Sequence, residues 1–375
     1  MSDHESIKND VYRLVERAAS GDMDALDEFV HSELTEAYEE GVDGDQQDGL
    51  PTLNAEELND KGDDLFCEGK LTEAVEYFRS AAMQGHVEAQ FNLGYCYDLG
   101  QGLPKNSKLA VHWYRLSANA GDDDAQYNLS LCYQHGVGVG IDRREAVKWC
   151  QKAAEGGHAL AQRLLGAWYA SGAGITQNYS KAAQMFELAA EQGDSEAQFI
   201  IGCYFSSGTG VAKDPAKAFE YFKKAASKEF SPAECWLGVC FWKGEGAPIN
   251  YIEAVNWFRK AADKGYSDAQ NKLGVCYERG EGVDKDLQEA TRWYRKAAEQ
   301  NDRAGQFNLG VCYQHGDGVP KDLVLSYKWL NLAAAQGYSS AAEVRDELEK
   351  GMLARQIAEA QKLCRVFASK NTDSH

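Results

Sequence analysis

Proline is scarce in this chain, at 6 of 375 residues. Helices accept proline only in their first turn, so the shortage leaves long stretches free to be helical. No segment approaches the ~18 consecutive apolar residues of a spanning helix. The opening MSDHESIKND has neither a basic stretch nor an apolar one, so no signal peptide is expected. Compact catalytic signatures are missing as well: there is no His-Glu-x-x-His, Ser-x-x-Lys, Gly-x-Ser-x-Gly or Walker loop. The 8 histidines are scattered. Cys132/His135 and Cys312/His315 each offer two ligands in one helical turn, but they lie too far apart to complete one tetrahedral site. Neither a metal nor a cofactor is expected.

A basic excess is lacking too. The net charge is −19 and unevenly spread: residues 1–60 hold 18 Asp/Glu against 3 Lys/Arg, and the rest hold 40 against 36. An acidic segment therefore precedes a nearly neutral body. Neither part offers the clustered basic face that a nucleic-acid backbone requires.

What the chain has in quantity is repetition. The pairs Ala89-Gln90, Ala125-Gln126, Ala161-Gln162, Ala197-Gln198, Ala233-Glu234, Ala269-Gln270 and Gly305-Gln306 recur every 36 residues without insertion or deletion. A period of that size marks stacked supersecondary units, which need no single large core. Within each unit a first helix carries a small residue, Leu, a second small residue and an aromatic at offsets 0, 4, 5 and 8. In the last unit these are Gly305, Leu309, Gly310 and Tyr313. The residue at offset 5, Gly94 or Gly274 for example, is expected to let two backbones approach. A Gly-x-Gly turn follows, from Gly100/Gly102 to Gly316/Gly318, whose first glycine suits a left-handed helix end. A phosphate-binding reading of these glycines fails, because no strand precedes them and no Lys-Ser/Thr follows. Asp142, Asp214 and Asp322 are candidate N-caps for a second helix bearing aromatics and an Ala-Ala pair. Lys/Arg near its end, such as Arg259-Lys260 and Arg295-Lys296, are expected to pair with Asp263 and Glu299 on the helix surface.

Cysteine numbers 10, yet Cys96, Cys132, Cys240, Cys276 and Cys312 share one repeat position with Trp168 and Tyr204. Such a site is used for packing. Successive units stand ~8–10 Å apart, beyond the ~7 Å limit for a disulfide. A reduced, cytoplasmic protein is expected.

The ends differ from the middle. Residues 1–32 read as a degenerate helical N-terminal cap, and 33–52 as an acidic linker containing glycine. Residues 53–88 form a degenerate repeat, 89–340 seven regular ones, and 341–375 the C-terminal capping helices and tail. The acidic N-terminal segment reads as a solubilising tail or, alternatively, as a lid over a basic surface.

The pattern A-x-x-x-LG-x-x-Y-x-x-G-x-GV-x-x-D, followed by A-x-x-WY-x-KAA-x-x-G, resembles the Sel-1-like repeat family, a relative of tetratricopeptide repeats. The resemblance implies an all-α, right-handed α-solenoid of about eight two-helix repeats with terminal capping helices. It further implies a non-catalytic scaffold for protein–protein interaction whose first helices line a concave face. On that face the resemblance places Lys243, Arg279 and His315, a ladder of one basic or potentially basic residue per repeat, beside Trp242 and Gln314. It also sets Trp236, Lys272 and Asn308 near them, with Asn271 at the neighbouring groove position. Tryptophan beside cations suits an extended peptide, and this ladder an acidic one. The competing reading is a solvated helix face with two partly packed tryptophans. A hydrolase-type site in the groove and self-association of the solenoid are the alternative functions; a monomer is expected.

Overall fold

The computed structural model describes residues 53–372, with side chains to Ser369. The cap expected at 1–32 and the linker at 33–52 lie outside the described residues. Two compact bodies divide the chain at Ala189–Ala190.

The N-terminal body holds α1 (Ala55–Cys67), α2 (Leu71–Met83), α3 (Val87–Leu99), α4 (Ser107–Ala120), α5 (Asp123–His135), α6 (Arg143–Gly156), α7 (Ala159–Ser171) and all but the last two residues of α8 (Tyr179–Glu191). The C-terminal body holds α9 (Ser195–Ser207), α10 (Pro215–Ser227), α11 (Ser231–Lys243), α12 (Tyr251–Asp263), α13 (Ser267–Arg279) and α14 (Leu287–Glu299). It continues through α15 (Arg303–His315), α16 (Leu323–Ala335), α17 (Ser339–Glu349) and α18 (Ala354–Thr372). No strand occurs among the described residues. In each body the paired helices of one repeat pack together and the second helix packs on the first helix of the next repeat, the all-α solenoid class.

Capping residues set the helix starts. The Asp142 carboxylate accepts from the backbone N–H groups of Arg144 and Glu145, and Asp214, Asp286 and Asp322 repeat the arrangement. Each such cap is worth ~1 kcal/mol. Two first helices are capped by histidine instead: His86 and His158 accept through Nδ1 from the N–H of Ala89 and Ala161. From α3 to α15 the first helices end at glycines in the left-handed region, as at Gly280, φ 73°. The second turn glycine has a separate role. A Cβ on Gly282 would lie 2.2 Å from the Tyr251 carbonyl oxygen, so this turn rests directly on the start of α12.

The small residue at offset 5 admits the neighbouring backbone, a Cβ on Gly274 lying 3.1 Å from the Ala290 carbonyl oxygen, and a large side chain as well. A Cβ on Gly274 would lie 2.6 Å from the Tyr294 ring, and one on Gly94 2.9 Å from Tyr114. Gly166, Gly202 and Gly238 face Phe186, Phe222 and Phe258 in the same way, and Gly310 faces Leu330. Each glycine is thus a socket for a large side chain from the second helix of its own repeat. Where the socket is filled, at Ser130, the residue twenty places on is the small Cys150. This exchange of volume keeps the pair close-packed.

Polar side chains tie successive repeats together. Gln126 Nε2 donates to the Ala118 carbonyl at 3.2 Å and Gln270 Nε2 to Ala262 at 3.1 Å; Gln90, Gln162, Gln198 and Gln306 bond likewise. Arg115, Arg259 and Arg295 donate to the hydroxyls of Tyr133, Tyr277 and Tyr313. The expected surface pairs with Asp263 and Glu299 do not form among the described residues. The guanidinium groups reach across to the next repeat because a tyrosine lies eighteen residues on in each case.

Glu234 breaks the glutamine series. Its side chain is 0% exposed, with Oε1 accepting from Lys264 Nζ at 2.9 Å and lying 3.1 Å from Lys260 Nζ. In the next two repeats, Gln300 bonds to Gln270 at 2.8 Å and Gln336 to Gln306 at 2.9 Å through the same positions. At one interface a buried carboxylate held by two partly exposed lysines replaces the amide pair.

The cysteines are free thiols. Burial pushes Cys132, Cys240 and Cys276 up to about 12, and Cys96 and Cys312 to about 11. At the C-terminal end α18 packs on α16, with the Phe367 ring 5.3 Å from that of Trp329.

Candidate functional surface

All nine residues singled out from the sequence fall in the C-terminal body, on α11, α13 and α15 or their ends. Trp242 sits in the last turn of α11, where its five-membered ring edge reaches the following repeat. Its Nε1 donates to Glu281 Oε2 at 2.6 Å. Arg279, at the end of α13, places its guanidinium 5.7 Å from the Trp242 ring centre and 3.9 Å from Glu281 Oε1. The carboxylate therefore holds an indole N–H and a cation on one patch. A cation over an indole adds ~0.5–1 kcal/mol at an exposed site. Arg279 retains 56% exposure, so the pair leaves most of the guanidinium in solvent.

Lys243 and His315 stand at equivalent helix ends, exposed, with no ion pair joining either among the described residues. Their place in the last turn suits a cation, because unpaired carbonyls make that helix end negative. Beside Arg279, Glu278 accepts from the Tyr294 hydroxyl at 2.6 Å, and burial holds that phenol well above its usual range.

The remaining residues do structural work. Asn271 is 4% exposed, so it does not line an open surface; its Oδ1 accepts from Asn308 Nδ2 at 2.8 Å, linking α13 to α15. Trp236 packs its ring 5.7 Å from that of Phe222. Lys272 lies 3.7 Å from Asp268 on its own helix. Gln314 is half-buried next to His315. The structure thus joins Trp242 to Arg279, flanks them with Lys243 and His315, and turns Asn271 inward. Glu281, which organises the patch, was missed because it sits between the two turn glycines. The available signal was the acidic residue recurring there, as Glu245, Glu281 and Asp317.

Stacked helix pairs with a glycine-bracketed turn define a class of two-helix repeat proteins, and comparison with known families makes the class specific. The Sel1 repeat family matches at residues 61–86, 87–122, 123–158, 159–194, 195–230, 231–266, 267–302 and 303–338. From the second match onward each opens on the first residue of a first helix. The chain belongs to the Sel1 repeat family. A Sel1 repeat protein from Oxalobacter formigenes is similar at 34% identity, covering 64% of this chain and 96% of its own, with a TM-score of 0.56. A protective antigen present in uropathogenic Escherichia coli strains, described as displaying an SLR fold, is 26% identical. That match covers 91% of this chain and 94% of the antigen, with a TM-score of 0.53. No curated protein matches the chain. No helix among the described residues is long and apolar enough to cross a membrane.

Proposed function

We propose that the protein is a non-catalytic adaptor that holds a protein or peptide segment against the Trp242–Arg279 patch. Membership of a repeat family built from stacked helix pairs supports protein partners as the broad class. One observation supports the finer reading: Lys243 and His315 are exposed and unpaired among the described residues on either side of the half-solvated Arg279. Such a row suits an acidic segment, whose carboxylates gain charge-assisted hydrogen bonds that solvent water does not match. Trp242 supplies an apolar anchor already fixed by Glu281, so little side-chain freedom is lost on binding. Free, buried thiols throughout both bodies fit a reducing compartment such as the cytoplasm.

Affinity capture with the wild-type chain and a Lys243→Glu/Arg279→Glu variant tests the reading. The variant should lose proteins that the wild type retains. Equal recovery of the same proteins would remove the patch from any binding role.

A further inference from the structure

Glu281, the residue between two turn glycines, reaches the first helix of the preceding repeat at Trp242. Three repeats earlier the register sets Gln134 in the place of Trp242 and Ala173 in the place of Glu281. Ala173 has no side chain to reach back with. Gln134 Oε1 is buried and has no hydrogen-bond partner. A cavity of about 250 Å³ opens there within the N-terminal body, lined by Gln134, His135, Arg143, Val147, Trp168 and Ala173 among its walls.

The cation Arg143 and the imidazole of His135 border this space, and no carboxylate lines it. His135 and Arg143 are exposed, and no ion pair joins either side chain among the described residues. The cation is peculiar to this repeat: Ser107, Tyr179, Pro215, Tyr251, Leu287 and Leu323 occupy the place of Arg143 elsewhere. The chain itself shows what belongs opposite, because in the C-terminal body the equivalent position is filled by a carboxylate that a side-chain N–H and a guanidinium share.

We infer that this cleft binds a carboxylate supplied from outside, the glutamate or aspartate side chain of a bound peptide. The guanidinium of Arg143 meets its charge, an N–H of the His135 imidazole and the Gln134 Nε2 amide donate to it, and Trp168 with Val147 walls its methylenes. The volume decides the size of the guest. It falls below the ~300–1,000 Å³ of sites for drug-sized ligands and suits a single side chain entering through the open rim. Charge complementarity selects its sign. The site uses neither Lys243 nor Arg279, so it stands or falls apart from the patch on the C-terminal body.

The full chain is titrated with an end-capped Gly-Gly-Glu-Gly-Gly peptide, its Gln counterpart and glutarate, following the Trp168 indole N–H by NMR. The Glu peptide should give a saturable shift in the millimolar range and the Gln peptide none. Arg143→Gln should weaken binding at least about tenfold, the scale of a lost hydrogen bond to a charged group. Ala173→Glu places the chain's own carboxylate in the cleft and should abolish the response. That variant keeps its fold, since Glu245 and Glu281 occupy the same turn position elsewhere. Equal shifts from the Glu and Gln peptides, binding unaltered in Arg143→Gln or Ala173→Glu, or a response to glutarate alone would overturn the inference.

Discussion

Removing both lysines that face Glu234 should be far more damaging than removing either one. Lys260 and Lys264 are 43% and 31% exposed, whereas the carboxylate between them is fully buried. Each lysine alone therefore contributes on the ~0.2–1 kcal/mol scale of a solvated pair. Losing both in Lys260→Met/Lys264→Gln strands the carboxylate, a loss of ~3–5 kcal/mol. Adding Glu234→Gln to that background should return most of it. The new amide can donate to the Ala226 carbonyl, as Gln270 donates to Ala262. It can also accept from the amide introduced at position 264, as Gln270 accepts from Gln300. Native-state hydrogen exchange of α11 and α12 reads this interface locally, without assuming that the whole array unfolds at once. If the triple variant is no more protected than the double one, the loss was of packing and the stranded-charge account is wrong.

Gly274→Ala should lower the melting temperature through an overpacking cost of ~1–3 kcal/mol against Tyr294, and Tyr294→Cys should relieve it if the volume exchange of Ser130 and Cys150 is transferable. Glu281→Gln should release Arg279 and shift Trp242 fluorescence, with a stability loss of ~1 kcal/mol; unchanged emission would show that the carboxylate does not hold the indole. The buried thiols make stability fall at alkaline pH. They stay protonated in the folded chain up to about 11–12, whereas in the unfolded chain they ionise near ~8.5. The unfolded state sheds protons first, so the urea midpoint should hold below pH ~8.5 and decline above it, less steeply in Cys276→Ala.

The period, the turn glycines and the aspartate caps were legible because each answers a backbone requirement that recurs at fixed spacing. A left-handed φ at Gly280 demands glycine wherever the chain repeats that turn. Side-chain partners were harder to read. Gly274 announces a close approach but not what approaches, and only three dimensions identify the Tyr294 ring. Asn271 shares its offset with aromatics, and its offset cannot tell an amide facing a groove from one bonded to Asn308. Glu234 passed as a variant of the Ala-Gln frame marker. The clue was Lys264, standing where Gln300 and Gln336 stand in later repeats. Arg279 and Trp242 were both named, but the turn residue that couples them was passed over as a spacer.

The sockets bear on how the chain reaches its native state. Gly274 and Tyr294, like Gly94 and Tyr114, are twenty residues apart, and the glutamine bonds close over only eight. Ring closures of that length form quickly and carry little entropic penalty. A nascent chain can settle each hairpin of helices soon after it is made, long before its C-terminal residues exist.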